Sequence, residues 1–221
     1  MKILVFAPHN DDEVLGVGGT IAKYVKAGHS VYVCEVTSTP DPEWTKDLRV
    51  EAKAAHDFLG IEETYFLDLP MIGLRHHDTA DFNGRVHDVV QQVSPNIVFV
   101  PHKGDMNFDH AEVTYSAMVA LRPFNVSDLK EILAYETLSE TEWNTPTVDN
   151  VFMPNVFYDI TDTIEDKLKA MEYYESELKQ YPHPRSLEAI RALSMYRGST
   201  INVAHAEAFM LIRAVRKQVV E

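Results

Sequence analysis

Four short apolar runs constrain this chain more than any other feature. Residues 2–6, 31–36, 64–67 and 97–100 are nearly continuous apolar segments rather than alternating ones. A strand of that kind is buried on both faces, which is the habit of a parallel sheet covered by helices. The segments between them have helical spacing. Ile21, Tyr24 and Val25 form an inward stripe that stops at Gly28, and Leu48, Ala52, Ala55 and Leu59 form another across residues 41–59, with Gly60 as the stop. Residues 82–93 and a segment from about Asp109 to Leu121 are the next two helices. This β-α-β-α order implies an α/β fold, a doubly wound and mostly parallel sheet with right-handed crossovers.

The last third changes character. Residues 131–136 and 156–160 are further strand candidates. Ile164, Leu168, Met171 and Leu178 make one helical stripe, and residues 186–196 and 204–215 are expected to be two more helices. With no repeat, no low-complexity segment and no long linker, residues 1–221 are read as one domain with a helical carboxy-terminal part walling a cleft.

Composition narrows the partners. The net charge of −14 argues against nucleic acid or anionic lipid as a ligand. The single cysteine, Cys34, forms no internal disulfide, and no cysteine cluster for structural zinc exists. No apolar run approaches the roughly 20 residues of a membrane span, and the first residues run straight into a strand without a leader pattern. A cytoplasmic protein acting on a small molecule is expected.

The chemistry gathers at the carboxyl end of the first strand, in Ala7-Pro8-His9-Asn10-Asp11-Asp12-Glu13, with Gly16, Gly18, Gly19 and Thr20 following in the helix. Open α/β sheets bind ligands at that end, at the switch point of the strand order. Strand four delivers Pro101-His102-Lys103-Gly104-Asp105-Met106-Asn107-Phe108-Asp109-His110 at the matching place. If strands one and four lie side by side, His9, Asp12 and His110 can converge on one ion and leave a position for water, the pattern of catalytic zinc. Asp11 and Asp12 point in different directions, so one carboxylate can bind metal while the other takes a proton. His102 is the rival to His110 as ligand. His76 and His77 sit on a loop near the expected entrance, and His29, His56 and His87 are read as structural residues without partners.

Pro8-His9-Asn10-Asp11-Asp12-Glu13 resembles the (A/P)HPDDE signature of the LmbE-like, or PIG-L-type, N-acetylglucosaminyl deacetylases. Residues 16–20, Arg49-Val50-Glu51-Ala52, Leu59-Gly60-Ile61 and the region from Asp105 to His110 are similar to that family's succeeding segments. So are residues 152–160, Lys167, His183-Pro184-Arg185-Ser186 and Ala206-Glu207-Ala208-Phe209. The resemblance implies a Rossmann-like fold, a mononuclear zinc site and hydrolytic removal of acetate from an N-acetylated sugar or conjugate. By position it implies His9, Asp12 and His110 as metal ligands and Asp11 as general base. It makes Arg49 and Arg185 substrate-binding candidates, and a homo-oligomer is expected.

Two departures from the pattern matter. Asn10 replaces the signature proline, and Asn107 and Phe108 replace the first histidine and the proline of the family's HPDH. That histidine helps hold the oxyanion in the family. An asparagine amide can donate to an oxyanion but carries no charge, and one lost donor costs about 100- to 1,000-fold in rate. Either Asn107 substitutes for it or another residue supplies the donor, and His183 on its proline-flanked turn is the candidate.

Overall fold

The computed structural model describes residues 1–217. Seven strands form one sheet: β1 (Lys2–Ala7), β2 (Ser30–Ser38), β3 (Glu63–Pro70), β4 (Ile97–Pro101), β5 (Glu131–Tyr135), β6 (Val156–Asp159) and β7 (Ala206–Ala214). Their order is β3-β2-β1-β4-β5-β7-β6. The first five are parallel, and β7 runs antiparallel to both β5 and β6. The helices are α1 (Asp12–Lys26), α2 (Pro42–Leu59), α3 (Thr79–Val93), α4 (Phe108–Ala120), α5 (Ile164–Met171) and α6 (Leu187–Ser199). The mostly parallel, Rossmann-like sheet expected from the four apolar runs is the architecture found.

Side-chain alternation along β1 explains the two-layered covering. Ile3, Val5 and Ala7 face a core shared with α1, α2 and α5, while Leu4 and Phe6 face a second core shared with α3 and α4. The buried positions of β1 and β4 are apolar throughout, as covering on both faces requires. Caps explain where the helices begin and end. Asp41 accepts from the Glu43 amide at 2.9 Å ahead of Pro42, and Gly60 closes α2 with φ 76°. Asp78 caps α3 through the Asp81 amide, so this helix starts three residues before the expected Phe82.

Gly16 is required by close approach: a Cβ there would overlap the ring of Tyr135. Tyr135 is fully buried and donates its hydroxyl to the Phe6 carbonyl at 2.7 Å, which ties β5 to β1 beneath the site.

The carboxy-terminal part departs from expectation in two places. The stripe from Ile164 to Leu178 is not one helix, because α5 ends at Met171 and turns follow. Residues 204–215 are not a helix but contain β7. Alanine, glutamate, methionine and leucine in this stretch favour a helix intrinsically, yet the segment lies between β5 and β6 and bonds to both. Its side chains then alternate, with Phe209 in one core and Met210 packed against the other. Pairing on both edges outweighs a propensity worth tenths of a kcal/mol per residue.

Candidate metal centre

The register Ile3↔Ile97 and Val5↔Phe99 places β1 and β4 side by side, and their carboxyl ends open at the switch point of the strand order. The loop after β1 is pinned there. Thr37 donates both its amide and its hydroxyl to the Pro8 carbonyl, at 3.1 and 2.7 Å. The His9 amide donates to Asp12 Oδ2 at 2.9 Å.

That same oxygen lies 3.2 Å from His9 Nδ1 and 3.4 Å from His110 Nε2. His110 stands in the first turn of α4 and is fully buried. Its Nδ1 faces Asp105 Oδ2 at 2.8 Å, and its Nε2 has no hydrogen-bond partner among the described residues. Asp105 is held in turn by the Thr141 hydroxyl at 2.6 Å. A carboxylate fixing one imidazole nitrogen while the other faces a common point is the usual outer support of a metal-binding histidine. Ligands of a tetrahedral zinc with bonds of about 2.0–2.1 Å lie about 3.3 Å apart, so the donor set and its spacing fit zinc.

The charges agree with a cation's place. Burial opposes ionisation of Asp12, but His110 and His9 outweigh it and hold the carboxyl far below its usual range. Burial disfavours the His9 imidazolium, yet hydrogen bonds to Asp109 and Asp12 push its pKa up to about 9. For His110, burial is likewise outweighed by Asp12 and Asp105, and the pKa rises. Without metal the cluster holds protons that a cation would displace.

Asp11 is the residue before α1 and is almost fully buried, with φ 128°. A non-glycine residue there is strained. It makes no side-chain cap. Its Oδ2 accepts from Arg185 Nη1 at 3.1 Å, and Arg185 also donates to Glu177 at 2.7 Å and to the Ser139 hydroxyl at 2.8 Å. Burial raises the Asp11 carboxyl well above its usual pKa, and Arg185 opposes that rise. Arg185 therefore meets the carboxylate beside the cluster.

Asn107 caps α4, its Oδ1 accepting from the Asp109 amide at 3.0 Å, while its Nδ2 lies 3.5 Å from His9 Nε2. Asp109 Oδ2 lies 3.2 Å from His9 Nε2 and accepts from the Ile72 amide at 2.6 Å. Asn107, Asp109, Glu140, His76 and Arg75 line a cavity of about 480 Å³ at this point. His183 lies on the turn that carries Arg185. Its Nδ1 accepts from the Arg185 amide at 3.1 Å, and its ring meets Trp143 edge-on.

The other candidates separate. Arg49 is paired with Asp68, stacks over Phe66, and lines a cavity of about 510 Å³ with Ser38, Thr39, Lys46 and Lys53. His102 Nε2 faces the Asn150 carbonyl at 2.8 Å and is outside the cluster. His77 pairs with Asp81 at 2.7 Å. His56, read as lacking partners, is buried against Glu13 and Thr64. Asp105, Glu140 and Glu177 were missed. Asp105 carried a signal, lying five residues before His110 in the same strand-to-helix loop. Glu140 sits in a turn without periodicity, and Glu177 in a stretch whose apolar spacing reads as a continuing helix, so nothing local marks them.

Comparison with known proteins fits this site to a family. The chain is 26% identical to the diacetylchitobiose deacetylase of Thermococcus kodakarensis over 231 aligned residues, covering 97% of this chain and 84% of that protein. Its fold is similar to the conserved protein TT1542 of Thermus thermophilus, with a TM-score of 0.78, 26% identity, and 98% and 96% of the two chains covered. It is similar also to GalB, the 4-carboxy-2-hydroxymuconate hydratase of Pseudomonas putida KT2440, with a TM-score of 0.77, 19% identity, and 100% and 99% covered. That last likeness concerns the fold alone. The family model PIG-L, described as GlcNAc-PI de-N-acetylase, matches residues 4–121, which run from β1 through α4 and contain His9, Asp11, Asp12 and His110. The chain belongs to this PIG-L, or LmbE-like, de-N-acetylase family.

Proposed function

We propose that this protein is a zinc-dependent N-deacetylase that releases acetate from an N-acetylated sugar or sugar conjugate of the N-acetylglucosamine type. The observation that carries the reading is the convergence of His9, Asp12 and the unpartnered Nε2 of His110 beside the buried carboxyl of Asp11. A family whose relatives include a diacetylchitobiose deacetylase supports the substrate class.

His9, Asp12 and His110 would hold the ion. Zinc, when bound, supplies Lewis-acid polarisation and a water acidified to a pKa of about 7. Asp11 accepts a proton from the attacking water as its oxygen bonds to the acetyl carbon. The C–N bond then breaks, acetate leaves, and Asp11 returns the proton to the sugar amine. Burial, by raising the Asp11 carboxyl, brings its basicity closer to neutral pH, which suits both transfers. Asn107 Nδ2 is free to donate toward the acetyl oxygen because its Oδ1 is used in capping α4. The Arg49 cavity, at the ends of β2 and β3, offers the sugar hydroxyls a cation and the Asp68 carboxylate together. Arg185 keeps the base oriented and its remaining donors face Glu140 at 3.8 Å, at the rim of the cleft.

The test is acetate release from a panel of N-acetylated sugars and chitooligosaccharides by the zinc-loaded protein. Release from at least one, abolished by chelation and restored by zinc, is expected. No release from any of them would overturn the reading. His110→Ala should hold one equivalent of zinc per chain less than the wild type by mass spectrometry. An unchanged zinc content would remove His110 from the ligand set.

His183 acts at the same turn as Arg185. His183→Ala is expected to lower kcat by about 100- to 1,000-fold, the range for one lost donor or acid group, with zinc content intact. Unchanged turnover would take His183 out of the mechanism.

A further inference from the structure

Behind the first strand's loop lies a second constellation that the proposed reaction does not use. Glu13 of α1, Glu35 of β2 and His56 of α2 each offer an atom within 4.8 Å of the others, and all three are buried. His56 Nε2 lies 3.2 Å from Glu13 Oε1 and 3.6 Å from Glu35 Oε1. These spacings bracket the roughly 3.3 Å separation of ligands around a tetrahedral zinc. They also match the 3.2 and 3.4 Å of the cluster formed by His9, Asp12 and His110.

Three features of the surroundings point to a ligand. Both carboxylate oxygens of Glu35 are buried without a hydrogen-bond partner among the described residues, although polar groups in protein interiors are nearly always paired. The other ring nitrogen of His56 lies 2.7 Å from Thr64 Oγ1, so Nδ1–H can donate there and leave the Nε2 lone pair facing the carboxylates. Tyr174 donates its hydroxyl to Glu13 Oε1 at 2.5 Å, holding that side chain in place from a third segment. Deprotonated by metal binding, two carboxylates and one imidazole would balance the charge of one divalent ion in a site without solvent.

We propose that Glu13, Glu35 and His56 form a second, fully buried zinc site, structural in role, distinct from the centre at His9, Asp12 and His110. Asp12 and Glu13 are consecutive, so the first turn of α1 sends one carboxylate to each site. The buried ion would tie α1, α2 and β2 together beneath the strained Asp11, whose amide donates to Glu13 Oε2 at 3.3 Å. The alternative for the same residues is metal-free, with a proton shared between Glu13 and Glu35.

Zinc content per folded chain, after loading and gel filtration, separates the two. Wild type should carry about two equivalents, His9→Ala/His110→Ala about one, and Glu35→Gln about one. The His9→Ala/His110→Ala protein should also melt higher with zinc than with chelator, and adding Glu35→Gln should remove that difference. One equivalent in wild type and none in His9→Ala/His110→Ala would overturn the proposal and leave the shared proton. This holds even if Glu35→Gln fails to fold, because the decisive count uses a chain with all three buried residues intact. The catalytic reading fails separately: His110→Ala would then keep its full zinc, while Glu35→Gln would still lose one equivalent.

Discussion

Asp11→Asn is expected to lower deacetylation by about 10²- to 10⁴-fold, the usual contribution of a positioned general base, with zinc content and melting temperature unchanged. The substitution is nearly isosteric. Asparagine also tolerates positive φ, so the φ of 128° at this position should survive. The amide cannot take a proton from water, while the ligand set of His9, Asp12 and His110 is left alone. The loss should therefore fall on kcat with little change in KM, the signature of an interaction made in the transition state. A mutant that loses zinc along with activity would show that Asp11 supports the metal centre instead. Full activity in the mutant would end its role as base. Arg185 sharpens the expectation: its guanidinium at 3.1 Å opposes the rise that burial imposes on the Asp11 carboxyl. The amide oxygen of asparagine can still accept from Arg185, which also keeps Glu177 and Ser139, so only the charge at the base is lost.

Much of this site was readable along the chain because its parts lie in two short loops. His9 to Glu13 follow β1 directly, and Asp105 to His110 follow β4, so strand order alone was needed to bring them together. The parallel half of the sheet was readable for the same reason: apolar runs buried on both faces look alike whatever their neighbours. Of the antiparallel pair, β6 was readable as a strand at residues 156–160 but β7 was not. Residues 206–214 carry a composition suited to a helix, and only partners on both edges, β5 and β6, make them a strand. Glu140, Glu177 and Tyr174 were invisible for a related reason. They stand outside the helices and strands; Glu140 and Tyr174 acquire meaning from contacts far along the chain, with Arg185 and Glu13, while Tyr174 and Glu177 fall in a stretch whose apolar spacing reads as a continuing helix. His56 looked partnerless because Glu13 and Glu35 are distant in sequence, Glu13 seemed spent on the first loop's motif, and Thr64 meets it only once β3 packs beside α2.

Glu207→Ala should destabilise the fold by about 3–5 kcal/mol, the cost of breaking a buried ion pair from one side. Glu207 belongs to β7, the strand the sequence hid, and reaches across to α1. Its two oxygens accept from the Gly19 and Thr20 amides at 2.9 and 2.7 Å. Oε1 also meets Lys167 Nζ at 2.6 Å, and Lys167 donates to the Leu15 carbonyl at 2.8 Å. Both side chains are about 95% buried. The pair thus joins α1, α5 and β7 through backbone groups as well as charge, next to the glycines that let α1 approach Tyr135 and Ile160. Removing the carboxylate strands the ammonium and two amide donors where water cannot reach them. Urea denaturation of wild type and mutant gives the difference directly. Lys167→Met/Glu207→Leu provides the control, because replacing both partners with apolar groups of similar length is often close to neutral. That double mutant should recover part of the loss, the remainder being the unmet Gly19 and Thr20 amides. A Glu207→Ala protein within about 1 kcal/mol of wild type would mean that α1 relaxes to satisfy those groups itself, and that β7 is held to the helix layer by packing of Phe209 rather than by the ion pair.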